Sequence, residues 1–350
     1  DYRPDASAQA ADRTGAGGPI VALAGGYDVN EYFVELGVPV TDALNLEVGM
    51  RFAEYSTDQD TDSFKLGAYY QVNDDLSVRG TLQTASRHGS ITELYRGQGS
   101  SLTDLDPDPC GTDPESGKGP TATIEQCRNT GLADVDYGSD LKSPADQYNI
   151  LTGGNPNLRP EESESTTLGV VGTPASVDGL TLSLDYFDIT VEDRIGTIPA
   201  QTSIDKCLAT GASTFCSLIE RDPIMGSLWV SPGQIITTNT NVAETNTSGF
   251  DIIFDYTLNT GLGPVGIKGI STIVDTDTLI VLPGEAKLEC AGKYGASCGK
   301  NPTPEFSGNY SADLVRGDFN YVLGLRYLGE TDTLNSDNID FEAKTYVDAT

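Results

Sequence analysis

Apolar and polar residues alternate along much of the chain. In LNLEVGMRF, Leu44, Leu46, Val48, Met50 and Phe52 share one parity, and Asn45, Glu47, Gly49 and Arg51 share the other. A period of two sends successive side chains to opposite faces of an extended backbone, so this stretch predicts a β-strand. Phe64, Leu66, Ala68, Tyr70 and Val72 repeat the pattern against Lys65, Gly67, Tyr69 and Gln71. Leu76, Val78, Gly80 and Leu82 oppose Ser77, Arg79, Thr81 and Gln83. Later runs are Leu180 to Tyr186, Phe250 to Leu258 and Phe319 to Tyr327. About eleven strands result, at roughly 27–40, 44–56, 62–72, 76–88, 161–173, 179–194, 246–259, 264–277, 305–316, 319–330 and 344–350. Many reach about ten residues, longer than the usual five or six. That length suits a tilted crossing of a bilayer.

The connections are asymmetric. Short ones (PVTDA, NDD, PASVDG, NTGLG, RGD) alternate with mostly long ones at 89–160, 195–245 and 278–304, and shorter ones at 57–61 and 331–343. An antiparallel up-and-down sheet then carries every long loop at one end. Transmembrane β-barrels of outer membranes have this asymmetry, with the long loops extracellular. No apolar run approaches the roughly 18 residues of a spanning helix. Barrel strands escape that test because they show lipid only every second residue. A soluble sandwich has the same alternation. Strand length, loop asymmetry and aromatics near strand ends (Tyr27, Tyr55, Phe64, Tyr70, Phe306, Tyr327) favour the barrel. Two loop stretches, 119–131 and 202–222, predict short helices, with Ser203 expected to cap the second and Gly211 to interrupt it.

Charge and cysteines refine this picture. The 350 residues include 52 acidic and 21 basic ones, a net charge of −31. Such a surface repels phosphates, so no nucleic-acid partner is expected. The six cysteines fall near one another as Cys110 and Cys127, Cys207 and Cys216, Cys290 and Cys298. Six cysteines allow 15 pairings and the sequence leaves them open. Each couple nevertheless lies within one predicted loop, which points to disulfides and an oxidising compartment. A zinc site would call for CxxC spacing or histidines. The chain has one histidine and no CxxC, and neither a metal site nor a cofactor is predicted. Asp58, Asp60 and Asp62 alternate like calcium ligands, but Ser63 and Tyr69 stand where a calcium loop needs Gly and Glu. With no GxSxG, P-loop or HExxH, no enzyme is expected. The polar opening DYRPDASAQAADRTGAGG and the stop at KTYVDAT read as the ends of a fragment.

Two stretches carry a family resemblance. ASRHGSITELY (85–95), a long loop, and then GGNPNLRPEES (153–163) resemble the receptor barrel of TonB-dependent outer-membrane transporters. The motif residues are Asn155, Pro156, Leu158, Pro160 and Glu161. LSLDYFDITVEDRIG (182–196) resembles the following ascending strand, and TNTSGFDIIFDYTL (245–258) the next descending one. At SRHGS the family more often has an apolar residue and Pro after Arg, where this chain has His88 and Gly89.

The resemblance implies the later part of a plugged 22-stranded barrel, minus its final strands. Residues 1–26 would be a polar extracellular loop remnant and 27–350 a partial receptor barrel, with the plug domain absent. It further implies a place in the outer membrane of a Gram-negative bacterium. The implied partners are membrane lipid, the inner-membrane TonB complex acting through the missing plug, and a small-molecule or oligosaccharide ligand. The implied function is binding and import of a scarce solute: a siderophore, cobalamin, a metal complex or an oligosaccharide. The alternative is a soluble or surface-exposed β-sheet binding or adhesion protein. Loop and rim residues are where recognition usually resides. On that ground Arg87, His88, Glu93, Tyr95, Tyr148, Arg221 and Trp229 are the candidate ligand contacts. Against that reading, His88 can equally be a rim residue without a role, and Trp229 can anchor its own loop.

Overall fold

The computed structural model describes residues 23–282, 285–295, 298, 302–334 and 340–350. Most of the predicted opening loop, 1–22, lies outside them, as do parts of the predicted loops at 278–304 and 331–343.

In chain order the strands are β1 (Val29–Pro39), β2 (Leu44–Tyr55), β3 (Thr61–Asn73), β4 (Leu76–Arg87), β5 (Gly99–Asp104), β6 (Gln147–Thr152), β7 (Glu161–Gly172), β8 (Leu180–Gly196) and β9 (Ile219–Glu220). They continue as β10 (Gln234–Ile236), β11 (Thr240–Thr260), β12 (Gly263–Ile280), β13 (Leu288–Glu289), β14 (Lys293–Tyr294), β15 (Phe306–Arg316), β16 (Phe319–Leu328), β17 (Asp332–Thr333) and β18 (Lys344–Ala349). Helices are few and short: α1 (Ile91–Tyr95), α2 (Ile124–Asn129), α3 (Ala200–Thr210) and α4 (Ser213–Cys216).

The main sheet runs β1-β2-β3-β4-β7-β8-β11-β12-β15-β16-β18, with β13 added beside β12. These are the eleven predicted strands, joined as an antiparallel up-and-down meander. The longest, β11 and β12, extend beyond their predicted ends by pairing from Glu244–Ile280 to Thr260–Gly263 around a bulge at Ser248/Gly249. Register converts the alternation into two distinct faces. On one, Leu36, Val48, Leu66 and Leu82 lie side by side across four strands. Leu44, Tyr70, Val78, Val170 and Leu184 form a parallel row across β2 to β8. Most of this face is exposed, including Val34, Met50, Leu66, Leu82, Leu168 and Leu184. A soluble monomer rarely exposes a contiguous apolar patch beyond roughly 300–600 Å². No helix among the described residues is long and apolar enough to cross a membrane, a test that says nothing of strands.

The opposite face is held by ion pairs between neighbouring strands. Arg51 pairs with Glu31, Lys65 with Glu47 at 2.8 Å, and Lys268 with Asp255 at 3.0 Å. Phe33, opposite Arg51 and 76% exposed, interrupts this polar face.

Contacts divide the chain into two units. The sheet unit comprises Asp28–His88, Pro160–Arg194 and Ala243–Thr350; the loop unit comprises Asp1–Tyr27, Gly89–Arg159 and Ile195–Val242. The predicted loops at 89–160 and 195–245 are thus far from structureless. They build a four-stranded sheet, β5-β6-β10-β9, in which β6 and β10 run parallel. Short irregular strands of this kind give too little alternation to be read from sequence.

An apolar core accounts for the loop unit's order. Leu132, Leu141, Tyr148, Ile204, Leu228 and Ile235 are buried together with Cys110, Cys127 and Cys207. Two of the three disulfides, Cys110–Cys127 and Cys207–Cys216, belong to this unit; Cys290–Cys298 lies in the sheet unit. The predicted helix at 119–131 is α2, begun by a capping box of Thr123 and Gln126. Ser203 does not cap the next helix. It is buried inside α3, its hydroxyl donating back to the Pro199 carbonyl at 3.4 Å. The helix starts three residues earlier, behind Pro199, and Gly211 ends it in the left-handed conformation.

Candidate ligand-binding loop unit and the polar face

The family motif turns out to be a clasp. Gly153 and Gly154 bring the backbone against the segment after α1: the Gly154 N–H donates to the Arg96 carbonyl at 2.8 Å, and the Asn155 N–H to the Glu93 carbonyl at 3.0 Å. A Cβ at Gly154 would stand 2.7 Å from both Arg96 N and Leu94 O, so only glycine fits this approach. The Asn155 amide donates to the Asn239 carbonyl at 3.0 Å, and the Asn239 amide to the Glu93 carbonyl at 3.0 Å. Asn241 exchanges two 2.9 Å bonds with the Arg159 backbone. Three segments far apart in sequence (91–98, 153–159 and 239–241) are thereby stitched together. Leu158 is buried. Glu161 opens β7 and pairs with Arg87, its register partner, through bonds of 2.6 and 2.7 Å.

The candidate contacts fall into different surroundings. Arg87 is the strand-end partner of Glu161. His88, 8% exposed, stacks on Tyr55 at 4.1 Å and shares a 2.8 Å hydrogen bond with the Thr57 hydroxyl. Both belong to the sheet unit. Glu93 closes the capping box of α1, accepting from the Ser90 N–H at 2.7 Å. Tyr95, half-buried, lies against Gly25. Tyr148 is buried in the loop-unit core, where burial pushes its phenol above the ordinary tyrosine range. The Arg221 guanidinium is buried against Asp108 at 2.7 Å, with further bonds to Thr130 and to the Gly226 carbonyl, both 2.8 Å. Trp229 is half-buried against the same core, and its indole N–H is buried with no acceptor among the described residues. The fold thus gathers Tyr148 and Trp229 into one core and sets Arg221 in a buried ion pair. Arg87 keeps a half-exposed side chain, and other polar groups stand open at cavities.

Two cavities offer such groups. In the loop unit, a cavity of about 330 Å³ is lined by Thr112, Asp113, Ser116, Lys118, Thr121 and Lys142, among others. Lys142 is steadied by Glu115 at 3.1 Å and Asp146 at 3.5 Å, and this company raises its pKa. The Ser116 hydroxyl, with the Glu115 N–H, holds the Asp113 carboxyl below the usual range. In the sheet unit, a cavity of about 240 Å³ on the polar face is lined by Phe33, Arg51, Ser63, Lys65 and Gln83, among others. Phe33 left a trace in the sequence, as an aromatic residue at a polar position of NEYFVELGV. The lysines left none, because nothing in a loop's sequence separates a cavity-lining lysine from a solvated one.

The comparisons fit this architecture. The family profile described as "TonB dependent receptor-like, beta-barrel" matches residues 1–350. No curated protein matches the sequence. Similar solved structures include a variant of the ferric enterobactin receptor of Pseudomonas aeruginosa, at 12% identity and TM-score 0.58 over 95% of this chain and 38% of that one. A further variant of that receptor, in complex with enterobactin, matches at 12% identity and TM-score 0.56 over 91% and 36%. The siderophore receptor PirA of Acinetobacter baumannii matches at 14% identity and TM-score 0.54 over 99% and 42%. The chain spans about two fifths of the length of these structures. At such identities the likeness is one of fold. By the profile that covers it from end to end, the chain belongs to the TonB-dependent receptor family, in its β-barrel domain.

Proposed function

We propose that the chain is part of an outer-membrane receptor that binds a scarce solute with its loop unit and imports it through a plugged barrel driven by the TonB complex. Members of the family are outer-membrane barrels of Gram-negative bacteria. The observation that carries the reading is the exposed apolar face of the long-stranded meander, which needs lipid on one side, combined with long connections that fold into an ordered unit. The long loops then face outward from the cell. Solved neighbours include siderophore receptors, one of them with enterobactin bound. Ferric siderophores therefore lead the list of solutes, ahead of cobalamin, other metal complexes and oligosaccharides. Lys118 and Lys142 in the loop-unit cavity and Arg51 and Lys65 on the polar face would meet a solute's anionic groups. The mechanism is binding and gated passage, without bond chemistry.

The apolar face weighs against the alternative of a soluble adhesion protein. The test uses the intact receptor, purified in detergent, titrated with a panel of ferric siderophores while the fluorescence of Trp229 is followed. Saturable binding of one member is expected, with iron uptake from it lost in cells lacking TonB. An intact protein that is a water-soluble monomer without detergent overturns the reading.

A further inference from the structure

Val135 and Ile224 are the two most exposed large apolar side chains among the described residues, at 86% and 83%. They lie 89 positions apart in sequence yet sit on touching turns. Gly226 abuts Leu132, and a Cβ added to it would stand 3.2 Å from the Asp136 Cβ. Met225, next to Ile224 in sequence, is exposed as well.

Both turns are built rigidly. The Asp222 carboxylate accepts from the backbone N–H of Met225 at 2.6 Å and of Ile224 at 3.3 Å. The Gly226 N–H closes onto the Asp222 carbonyl at 2.9 Å. The Gly226 carbonyl takes a bond from the buried Arg221 guanidinium, which Asp108 holds in turn. On the other side, Asp134–Asp136 forms a single 3-10 turn, and two 2.7 Å bonds from Arg128 pin Asp134. Aliphatic groups held outward on ordered turns have little freedom left to lose on association, which is the condition for an anchor in an interface.

Charge selects the class of partner. Residues 89–159 and 195–242 carry 14 acidic and 7 basic side chains, a net of −7. Both guanidiniums nearest the patch, Arg128 and Arg221, are already neutralised by Asp134 and Asp108. No cation pairs with Asp136 among the described residues. An anionic lipid surface or a nucleic acid would be repelled, whereas a basic polypeptide is attracted. We propose that the Val135–Ile224–Met225 patch docks a cationic amphipathic segment of another protein. Its aliphatic side chains cover Val135 and Ile224, and a Lys or Arg meets Asp136. The patch is small, so the contact is a transient one.

The test uses the intact protein in detergent and a synthetic amphipathic helical peptide with leucines on one face and lysines on the other. A scrambled peptide of identical composition serves as control. The amphipathic peptide is expected to bind at least tenfold more tightly than the scrambled one. Val135→Ser/Ile224→Ser is expected to abolish that tenfold preference while leaving thermal unfolding unchanged. Asp136→Asn should weaken binding several-fold. Equal binding of the two peptides, or an unchanged preference in the double variant, overturns the proposal. So does patch-dependent adsorption to anionic phospholipid vesicles, which would make the surface a lipid contact.

Discussion

Arg79 and Asp185 meet across an intervening strand. Arg79 on β4, Gly169 on β7 and Asp185 on β8 occupy one row of the register. The guanidinium reaches the carboxylate through bonds of 2.9 and 2.8 Å directly over Gly169. A Cβ at 169 would collide with the Asp185 carboxylate and lie 2.9 Å from Arg79 Nε. Gly169→Ala should therefore break the pair and strain the row, costing about 1–3 kcal/mol in the manner of overpacking. The pair alone is half-exposed and contributes about 1 kcal/mol or less. The check is denaturant unfolding of the intact receptor. Adding Arg79→Ala to Gly169→Ala should recover part of the loss, and if it does not, the row is strained by something other than this pair.

The asparagine clasp predicts a local effect. Asn155→Ala removes the bond to the Asn239 carbonyl and the acceptor for the Asn157 N–H. The part-buried bond to Asn239 contributes about 0.5–1.5 kcal/mol, and the exposed Asn157 N–H turns to water. The expected outcome is faster amide exchange at 91–98 and 234–241, with the strands of the sheet unit unchanged. Uniform acceleration throughout the chain would show that the clasp is no more than one contribution to global stability.

The strands were legible because their chemistry repeats. Leu44 to Phe52 announces its face five times over, and nine of the eleven predicted segments lie within two residues of the observed bounds; β12 runs three residues past its predicted end. Only β11 starts well outside its prediction, six residues early at Thr240. NPNLRPEE was readable as the boundary of a strand. Its role as a clasp was not, because the partners Glu93 and Asn239 lie 62 and 84 residues away. The candidate contacts suffered from the same distance. Nothing in the sequence sets Asp108, 113 residues earlier, beside the Arg221 guanidinium. Ser203 looked like a cap because a hydroxyl before an apolar run usually is one. The burial of Ile204 and Cys207 on a helix begun at Ala200 overrode that signal.

Arg221 and Asp108 make a further prediction. Both side chains are 2% exposed, and the guanidinium also serves Thr130 and Gly226. Removing one partner of such a pair strands the other charge, at about 3–5 kcal/mol. Asp108→Asn and Arg221→Met should each loosen the loop unit, read as rapid proteolytic cleavage within 89–159 or 195–242 while the strands stay protected. The double variant should lose less than the sum of the two, since neither charge is then left alone. Strict additivity would mean that the two residues act through separate partners.

Tyr148 gives the loop unit an alkaline limit. Burial raises its phenol above the ordinary value of 10.0, and the nearby Asp108 and Asp146 carboxylates push in the same direction. The hydroxyl meanwhile accepts the Ser143 N–H at 3.4 Å. A raised folded value means that the fold favours the neutral phenol. The corresponding stability is complete below the unfolded value near pH 10 and is lost as pH climbs toward the folded one. Above pH about 10 the loop unit should therefore open before the sheet unit does. Absorbance of tyrosinate followed through an alkaline titration should show one late-ionising tyrosine, absent in Tyr148→Phe. The variant should also hold its loop unit closed to higher pH than the parent. If Tyr148→Phe opens at the same pH as the parent, another group sets the limit and the buried phenol does not.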